Sequence, residues 1–283
     1  FIYSKPNFNY SENTLFTSLV SSNTDRLKDF GYETTNFGIS LGTRFEQYEN
    51  LFFSPELDLS IEDLKTNSAA SSNLKKQAGN YEDLYFNYGL DYDLRNSYYK
   101  ASSGNKTSFY QALPVVSDNN EIANTLIFTQ YKKLDAGTDM VGKASIFLKA
   151  VNSIDDNDVR ISKRAKMPYN RLRGFEKEKV GPKDGADYVG GNYITTLNLS
   201  TNLPGILNTM ENLDFSYFID VGNVWGVDYD STVDQSNFIR SSTGFGMDWI
   251  TPIGPLSFSL TQPLSKKSSD KTESFRFNLG TTF

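Results

Sequence analysis

The stretch Glu273-Ser-Phe-Arg-Phe-Asn-Leu-Gly-Thr-Thr-Phe283 decides the fold. Phe275, Phe277, Leu279, Thr281 and the terminal Phe283 fall on one side of an extended chain, and Ser274, Arg276, Asn278, Gly280 and Thr282 on the other, because successive side chains of a strand point to opposite faces. One such strand would suit a soluble sheet. Here the pattern recurs along the chain in runs of the roughly 9–11 residues that a tilted β-strand needs to cross a bilayer. The sequence therefore predicts an all-β fold, a transmembrane antiparallel β-barrel.

Working back from the C-terminus, clear runs occupy 254–262, 238–250, 213–225 and 193–203. Weaker ones lie at 140–151, 124–134 and 107–116. Nearer the start, Leu84, Phe86, Tyr88, Leu90, Tyr92 and Leu94 oppose Asp83, Asn87, Gly89, Asp91 and Asp93, and Leu57, Leu59 and Ile61 oppose Glu56, Asp58, Ser60 and Glu62. In the run 32–46, Phe37, Ile39, Leu41, Thr43 and Phe45 oppose Asn36, Gly38, Ser40, Gly42, Arg44 and Glu46. A Lys or Arg turned to lipid at the bilayer centre costs about 2–4 kcal/mol, with Asp and Glu somewhat less. A face carrying several such groups must line water or protein. With a short remnant at 1–8 the count is about 12 to 13 strands in one domain, 1–283. Polar segments at 65–80 and 227–237 read as extracellular loops, and Thr251-Pro-Ile-Gly254 as a tight periplasmic turn.

Composition narrows the function. Aromatic residues make up 14% of the 283, yet mean hydropathy is low, a combination that suits alternating lipid-facing and interior residues. No run approaches the ~18–20 apolar residues of a membrane helix. There is no Cys and no His, which removes thiol chemistry, the commonest metal ligand and the usual general base. An enzyme, a metal site and a cofactor are not expected. The net charge of -6, from 28 Lys and Arg against 34 Asp and Glu, gives no nucleic-acid footprint. The chain opens on Phe1 with no signal-like apolar run, as expected of a piece of a longer protein.

The longest interruption, 152–190, is too long for a hairpin turn, and such loops are either functional or disordered. On composition alone disorder is the first reading. Inside it lie Leu172-Arg173-Gly174-Phe175, then Gly181-Pro-Lys183 and Gly190-Gly-Asn192. Downstream come Asp220-Val-Gly222-Asn-Val-Trp225, Gly244-Phe-Gly246 and Pro252-Ile-Gly-Pro255-Leu-Ser-Phe-Ser-Leu-Thr-Gln-Pro263. In order and spacing these blocks resemble the BamA family, the barrel-assembly factors of the bacterial outer membrane. Phe275 to Phe283 resembles that family's C-terminal signal strand, although any outer-membrane barrel can end this way.

The resemblance implies that the 152–190 loop is extracellular and folds back into the lumen, its Arg173, Gly174 and Phe175 tip touching the wall near Asp220 and Gly222. The period-2 count independently turns Asp220 inward, where a charge-assisted pair with Arg173 would cost about 3–5 kcal/mol to break if desolvated. An isolated interior carboxylate and an exposed loop cation are the alternatives. Gly174 would let the tip approach the wall, Phe175 would pack inside or serve as an interfacial aromatic, and Trp225 reads as a membrane-girdle residue or a specific contact. The family's second carboxylate falls at Ser200, so Asp220 holds the loop alone or another acid substitutes.

Family barrels have sixteen strands preceded by periplasmic POTRA domains, so the resemblance implies that this chain lacks the POTRA domains and the first three or four strands. Its expected function is to fold and insert β-barrel proteins through a lateral gate, with Phe275, Phe277, Gly280 and Phe283 in the C-terminal signal and gate strand. The implied partners are unfolded outer-membrane barrel proteins, barrel-assembly lipoproteins and the lipid bilayer. A two-partner secretion transporter, a TamA-like factor and a passive porin-like channel remain alternatives.

Overall fold

In the computed structural model, residues 1–98, 100–135, 137–204, 212–233, 237–251 and 254–279 are described. Among these described residues, thirteen strands form one antiparallel sheet in chain order. These are β1 (Ile2–Lys5), β2 (Thr14–Arg26), β3 (Tyr32–Tyr48), β4 (Leu51–Thr66), β5 (Gly79–Asp93), β6 (Gly104–Ser117), β7 (Glu121–Lys133), β8 (Val141–Ser153), β11 (Tyr193–Asn202), β12 (Leu213–Trp225), β13 (Arg240–Thr251), β14 (Gly254–Ser265) and β15 (Phe275–Leu279). The two-residue strands β9 (Lys183–Asp184) and β10 (Asp187–Tyr188) form a separate hairpin inside the β8–β11 connection. Two short helices, α1 (Leu27–Phe30) and α2 (Ser72–Lys75), sit in the β2–β3 and β4–β5 connections.

The alternation becomes a division of environments. Outward, Phe37, Ile39 and Leu41 of β3 lie beside Ile61, Leu59 and Leu57 of β4, and all six are about half exposed. Leu197, Leu199, Phe245, Leu260, Phe275 and Phe277 continue this apolar belt. Inward, Ser40, Asp83, Asp91, Ser108, Glu121, Ser145, Thr196, Asp220 and Ser242 are buried. A water-soluble sandwich has the opposite polarity. A sheet with oil outside and hydrogen-bonding groups inside is stable only where lipid surrounds it and its backbone groups pair along ladders.

The β8–β11 connection touches elements near both ends of the sheet. The Lys179 ammonium lies 3.1 Å from Asp29 in α1, while its carbonyl accepts from the Lys271 N–H in the β14–β15 connection at 3.2 Å. One lysine thus spans the gap between the first and last long hairpins. Tyr188 repeats the link, its ring 6.2 Å from Phe30 and its hydroxyl donating to the Ser269 carbonyl at 2.6 Å. Among the described residues, β1 and β15 form the two ends of the ladder order.

Alternation locates the remnant at 1–8 and eleven long strands but leaves β2 unplaced. Its register turns Ser21 and Asn23 outward with Leu15 and Leu19, while Phe16 and Val20 point inward, so the polarity is mixed on both faces. Gly42 admits the Phe16 ring, since a Cβ there would sit 2.4 Å from a ring carbon. Strand β7 starts three residues earlier than its alternation implies, at Glu121. Of the expected Thr251–Gly254 turn, Pro252 and Ile253 lie outside the described residues, as do Gly280 and Phe283.

A single charge distinguishes the two faces. Phe245→Arg on the outward belt is expected to destabilise the barrel by about 2–4 kcal/mol in bilayer unfolding measurements. Ser257→Lys, which faces inward 2.5 Å from Asp248, is expected to stay within about 0.5 kcal/mol of the parent.

Candidate functional site

The segment between β8 and β11 runs along the inner wall, and its own sequence makes it a second layer. Val159, Ala165, Met167, Leu172, Phe175 and Val180 form one apolar cluster with inward Phe147 and Val151 of β8, Ile194 of β11 and Val224 of β12. All ten are buried. Wherever these strands turn an apolar residue inward, the loop supplies its cover.

At the centre of the site, Asp220 is fully buried and accepts four hydrogen bonds. The Arg173 guanidinium binds it in fork geometry, Nε to Oδ2 and Nη2 to Oδ1, both at 2.8 Å, and the Arg173 backbone N–H reaches Oδ2 at 3.0 Å. The fourth donor is the Asn198 amide at 2.8 Å, directly across the ladder on β11. The same Asn198 nitrogen donates to the Arg171 carbonyl at 2.8 Å. Ser242 on β13 donates its hydroxyl to the Arg173 carbonyl at 2.5 Å, and the guanidinium carbon lies 3.4 Å from the centre of the buried Phe218 ring. A bidentate ionic pair with every carboxylate oxygen engaged is the geometry in which burial is tolerated.

The glycines explain how backbone comes so close. Gly174 has φ +88°, and a Cβ there would sit 3.2–3.3 Å from Thr261 and Ser242, so a side chain would be both strained and crowded. At Gly222 a Cβ would meet the Thr195 carbonyl oxygen and the Thr196 methyl at 3.0 Å and the Met167 methyl at 3.3 Å. Phe175 is 1% exposed and lies in the inner cluster. Trp225 packs its ring 5.7 Å from Tyr193.

Ser200 takes no part in holding Arg173. It lies across from Phe218 and Lys143, and among the described residues the only acid on the Arg173 guanidinium is Asp220. An amide, Asn198, occupies the supporting position, which a search for a second carboxylate overlooks.

Sequence reasoning also missed a second anchor. Arg160, 1% exposed, donates Nη2 to Asp83 at 2.7 Å and to Glu121 at 3.0 Å, and its backbone N–H donates to Glu121 at 2.8 Å. It lies over the Tyr81 ring at 4.4 Å. Asp83 was readable as inward, but Glu121 fell before the expected start of its strand. Next to it, buried Arg164 pairs with Asp228 and donates to Asn192 at 2.9 Å. Burial opposes ionisation of Asp228, yet Arg164 and the Val159 N–H hold its pKa below the ordinary carboxylate value.

The tip also touches the last strand. Arg276 of β15 donates to the Phe175 carbonyl at 2.6 Å and to the Tyr169 carbonyl. The Glu273 N–H donates to the Gly174 carbonyl at 3.1 Å, and Phe175 bridges to Thr272. Phe275 and Phe277 point outward, their rings 6.4 and 5.0 Å from Phe258.

Lys166 adds a titratable element to the loop. Its ammonium donates to Tyr32 Oη at 2.9 Å and to the Ile161 carbonyl at 2.8 Å. Burial, followed by repulsion from Arg26 and then, after an opposing pull from Glu178, by Arg164 and Lys149, lowers its pKa to about 7. Below about pH 7 this lysine is charged whether the loop is docked or free, so its penalty on docking is fully present. The penalty is relieved as pH rises from about 7 toward 10.5. Loop protection measured by hydrogen exchange is therefore expected to increase between pH 7 and 9, and Lys166→Met to flatten that slope.

Removing the central carboxylate tests the anchor directly. Asp220→Ala is expected to cost about 3–5 kcal/mol, with a coupling to Arg173→Ala in a double-mutant cycle on bilayer unfolding. Purely additive effects would contradict the pairing.

Comparison with known proteins follows the same geometry. The chain is 32% identical over 142 residues to the outer membrane protein assembly factor BamA of Neisseria meningitidis and 28% identical over 142 residues to that of Neorickettsia risticii. These matches cover 40% and 49% of this chain but only 17% and 19% of the relatives, so the matched part spans less than a fifth of the length of these two proteins. A crystal structure of BamA from Haemophilus ducreyi lacking POTRA domains 1–3 superposes with TM-score 0.86 at 22% identity, over 98% of this chain and 60% of that one. The model of the Omp85 superfamily domain matches residues 1–283; the chain is an outer-membrane β-barrel domain that belongs to the Omp85 superfamily.

Proposed function

We propose that this barrel is the membrane portion of an outer-membrane protein assembly factor, which folds and inserts other β-barrel proteins. The observation that carries the reading is the tip Arg173-Gly174-Phe175 docked on Asp220, within a domain whose curated relatives bear that name. In this reading the 152–190 loop is extracellular and re-enters the lumen. The layer it forms supports assembly over a passive channel, because its apolar cluster and arginines fill space that an open pore needs for water.

No covalent chemistry is required. A nascent strand in lipid leaves its N–H and C=O groups unpaired, at a cost of several kcal/mol each. An assembly factor lowers this barrier by offering a strand edge for β-augmentation. We assign that role to the seam at β15, with Phe275 and Phe277 on its lipid face; Gly280 and Phe283, expected in the same gate strand, lie outside the described residues. Arg276 links the loop tip to this strand, so loop docking and seam opening would share one set of hydrogen bonds. The substrates are unfolded barrel proteins, and barrel-assembly lipoproteins are the expected accessory partners. POTRA domains and further strands would complete the machine.

The test uses the full-length protein in proteoliposomes with a urea-denatured barrel substrate, and folding is followed by heat-modifiable gel mobility. The reading predicts faster substrate folding than in empty liposomes, and a loss of about tenfold or more for Arg173→Ala if one buried charge-assisted contact supports the active state. Ion conductance without accelerated folding would overturn it in favour of a channel.

A further inference from the structure

We propose that a trough on the outward face of β7, β8, β11 and β12, at the end of these strands away from the long loop, is a binding site for one phospholipid with a net anionic headgroup. The pairing register lays the trough out in rows. Lys132, Gly142, Thr201 and Tyr217 lie side by side nearest the rim, and Gln130, Ala144, Leu199 and Ile219 form the next row toward the centre of the barrel wall. The volume is about 370 Å³, within the ~300–1,000 Å³ range of small-ligand sites.

The depression exists because β8 carries its smallest side chains where its neighbours carry long ones. Gly142 and Ala144 make the floor, and Ile146, the next outward residue of β8, closes the inner end. Leu134 leans over the rim end, since a Cβ at Gly142 would sit 2.9 Å from one of its carbons. The walls on β7 and β11 stand about 10 Å apart, two strand spacings, and their own side chains narrow the gap. A single acyl chain enters such a space, whereas a helix about 10–12 Å across does not.

The polar groups around the trough leave one charge open. The Tyr217 hydroxyl accepts from Thr243 at 2.8 Å, the Thr201 hydroxyl donates to the Asn202 carbonyl at 3.2 Å, and the Gln130 amide donates to the Gly104 and Tyr131 carbonyls at 2.9 and 3.0 Å. Lys143 alternates to the inner face, its ammonium 5.7 Å from the centre of the Tyr131 ring. Of the acids in the β7–β8 turn, Asp139 pairs with Lys133, and Asp135 accepts from the Gly137 N–H and the Thr138 hydroxyl. The exposed Lys132 ammonium, at the rim, has no carboxylate or hydrogen-bond partner among the described residues. Its stem can lie along the apolar wall while the charge stays at the boundary with water. A cation at the rim above an apolar trough matches a lipid phosphate above its acyl chain. A zwitterionic headgroup brings its own ammonium to that phosphate, so a net anionic one is the better complement to Lys132.

The experiment releases the full-length protein from nanodiscs of equal phosphatidylglycerol and phosphatidylcholine and counts the retained lipid by native mass spectrometry. Phosphatidylglycerol is expected to be retained about fivefold over phosphatidylcholine, the factor that one surface lysine gains on an anionic lipid. Lys132→Gln is expected to bring the two lipids close to equal retention. Ala144→Phe, which fills the floor, is expected to remove the retained lipid, and Leu260→Phe, elsewhere on the apolar belt, to change nothing. Should Ala144→Phe misfold by gel mobility, the exposed Lys132→Gln variant decides alone. Equal retention of the two lipids by the parent, a preference that survives Lys132→Gln, lipid retained unchanged by folded Ala144→Phe, or a dimer in place of bound lipid would overturn the proposal.

Discussion

A carboxylate turned into the wall of a membrane barrel cannot stay ionised without a partner, and this constraint organises the interior. The strands place Asp83, Glu121 and Asp220 inward, each at most 2% exposed. The polar wall that lets the apolar residues face lipid thus creates a demand for cations inside. One loop meets it at two separated points, Arg160 on β5 and β7 and Arg173 on β12. The apolar cluster between them covers the few inward strand residues that carry no polar group. Loop and wall are therefore one cooperative unit, although the connection contains almost no regular secondary structure.

The same contacts tie the interior to the ends of the sheet. Lys179 and Tyr188 touch both the β2–β3 and the β14–β15 connections, and Arg276 carries the tip's carbonyls to β15. The loop thus links the two sides of the sheet in addition to the ladders between neighbouring strands. A change at the loop tip can thus be felt at the last strand through hydrogen bonds already in place. The route is short: Asp220, Arg173, Phe175, Arg276.

Much of this was legible in the sequence because a two-residue period is a local property. Phe275 to Leu279, the 32–46 run and the inward side of Asp220 follow from counting alone. The Arg173–Asp220 contact required more, since their 47-residue separation leaves no local trace; the resemblance to a known family suggested it, and the facing rule was consistent with it. Strand β2 escaped because Phe16, against Gly42, and Val20, across from Gly38, lie inward while Ser21 and Asn23 lie outward, so its alternation is broken. Arg160 escaped because its partners lie on two strands 38 residues apart and one, Glu121, sits at a strand's first position. The support of Asp220 by Asn198 escaped because an amide does the work expected of an acid.

The most direct test of the docked loop is hydrogen exchange of the backbone amides of Arg173 and Glu176 in bilayer-embedded protein. Their N–H groups bond to the Asp220 carboxylate and the Lys271 carbonyl, at 3.0 and 2.9 Å. Protection comparable to that of the central amides of β11 and β12 is the expected result. Exchange at the rate of an unstructured surface loop would contradict the account, because it would leave Asp220 buried without its cation.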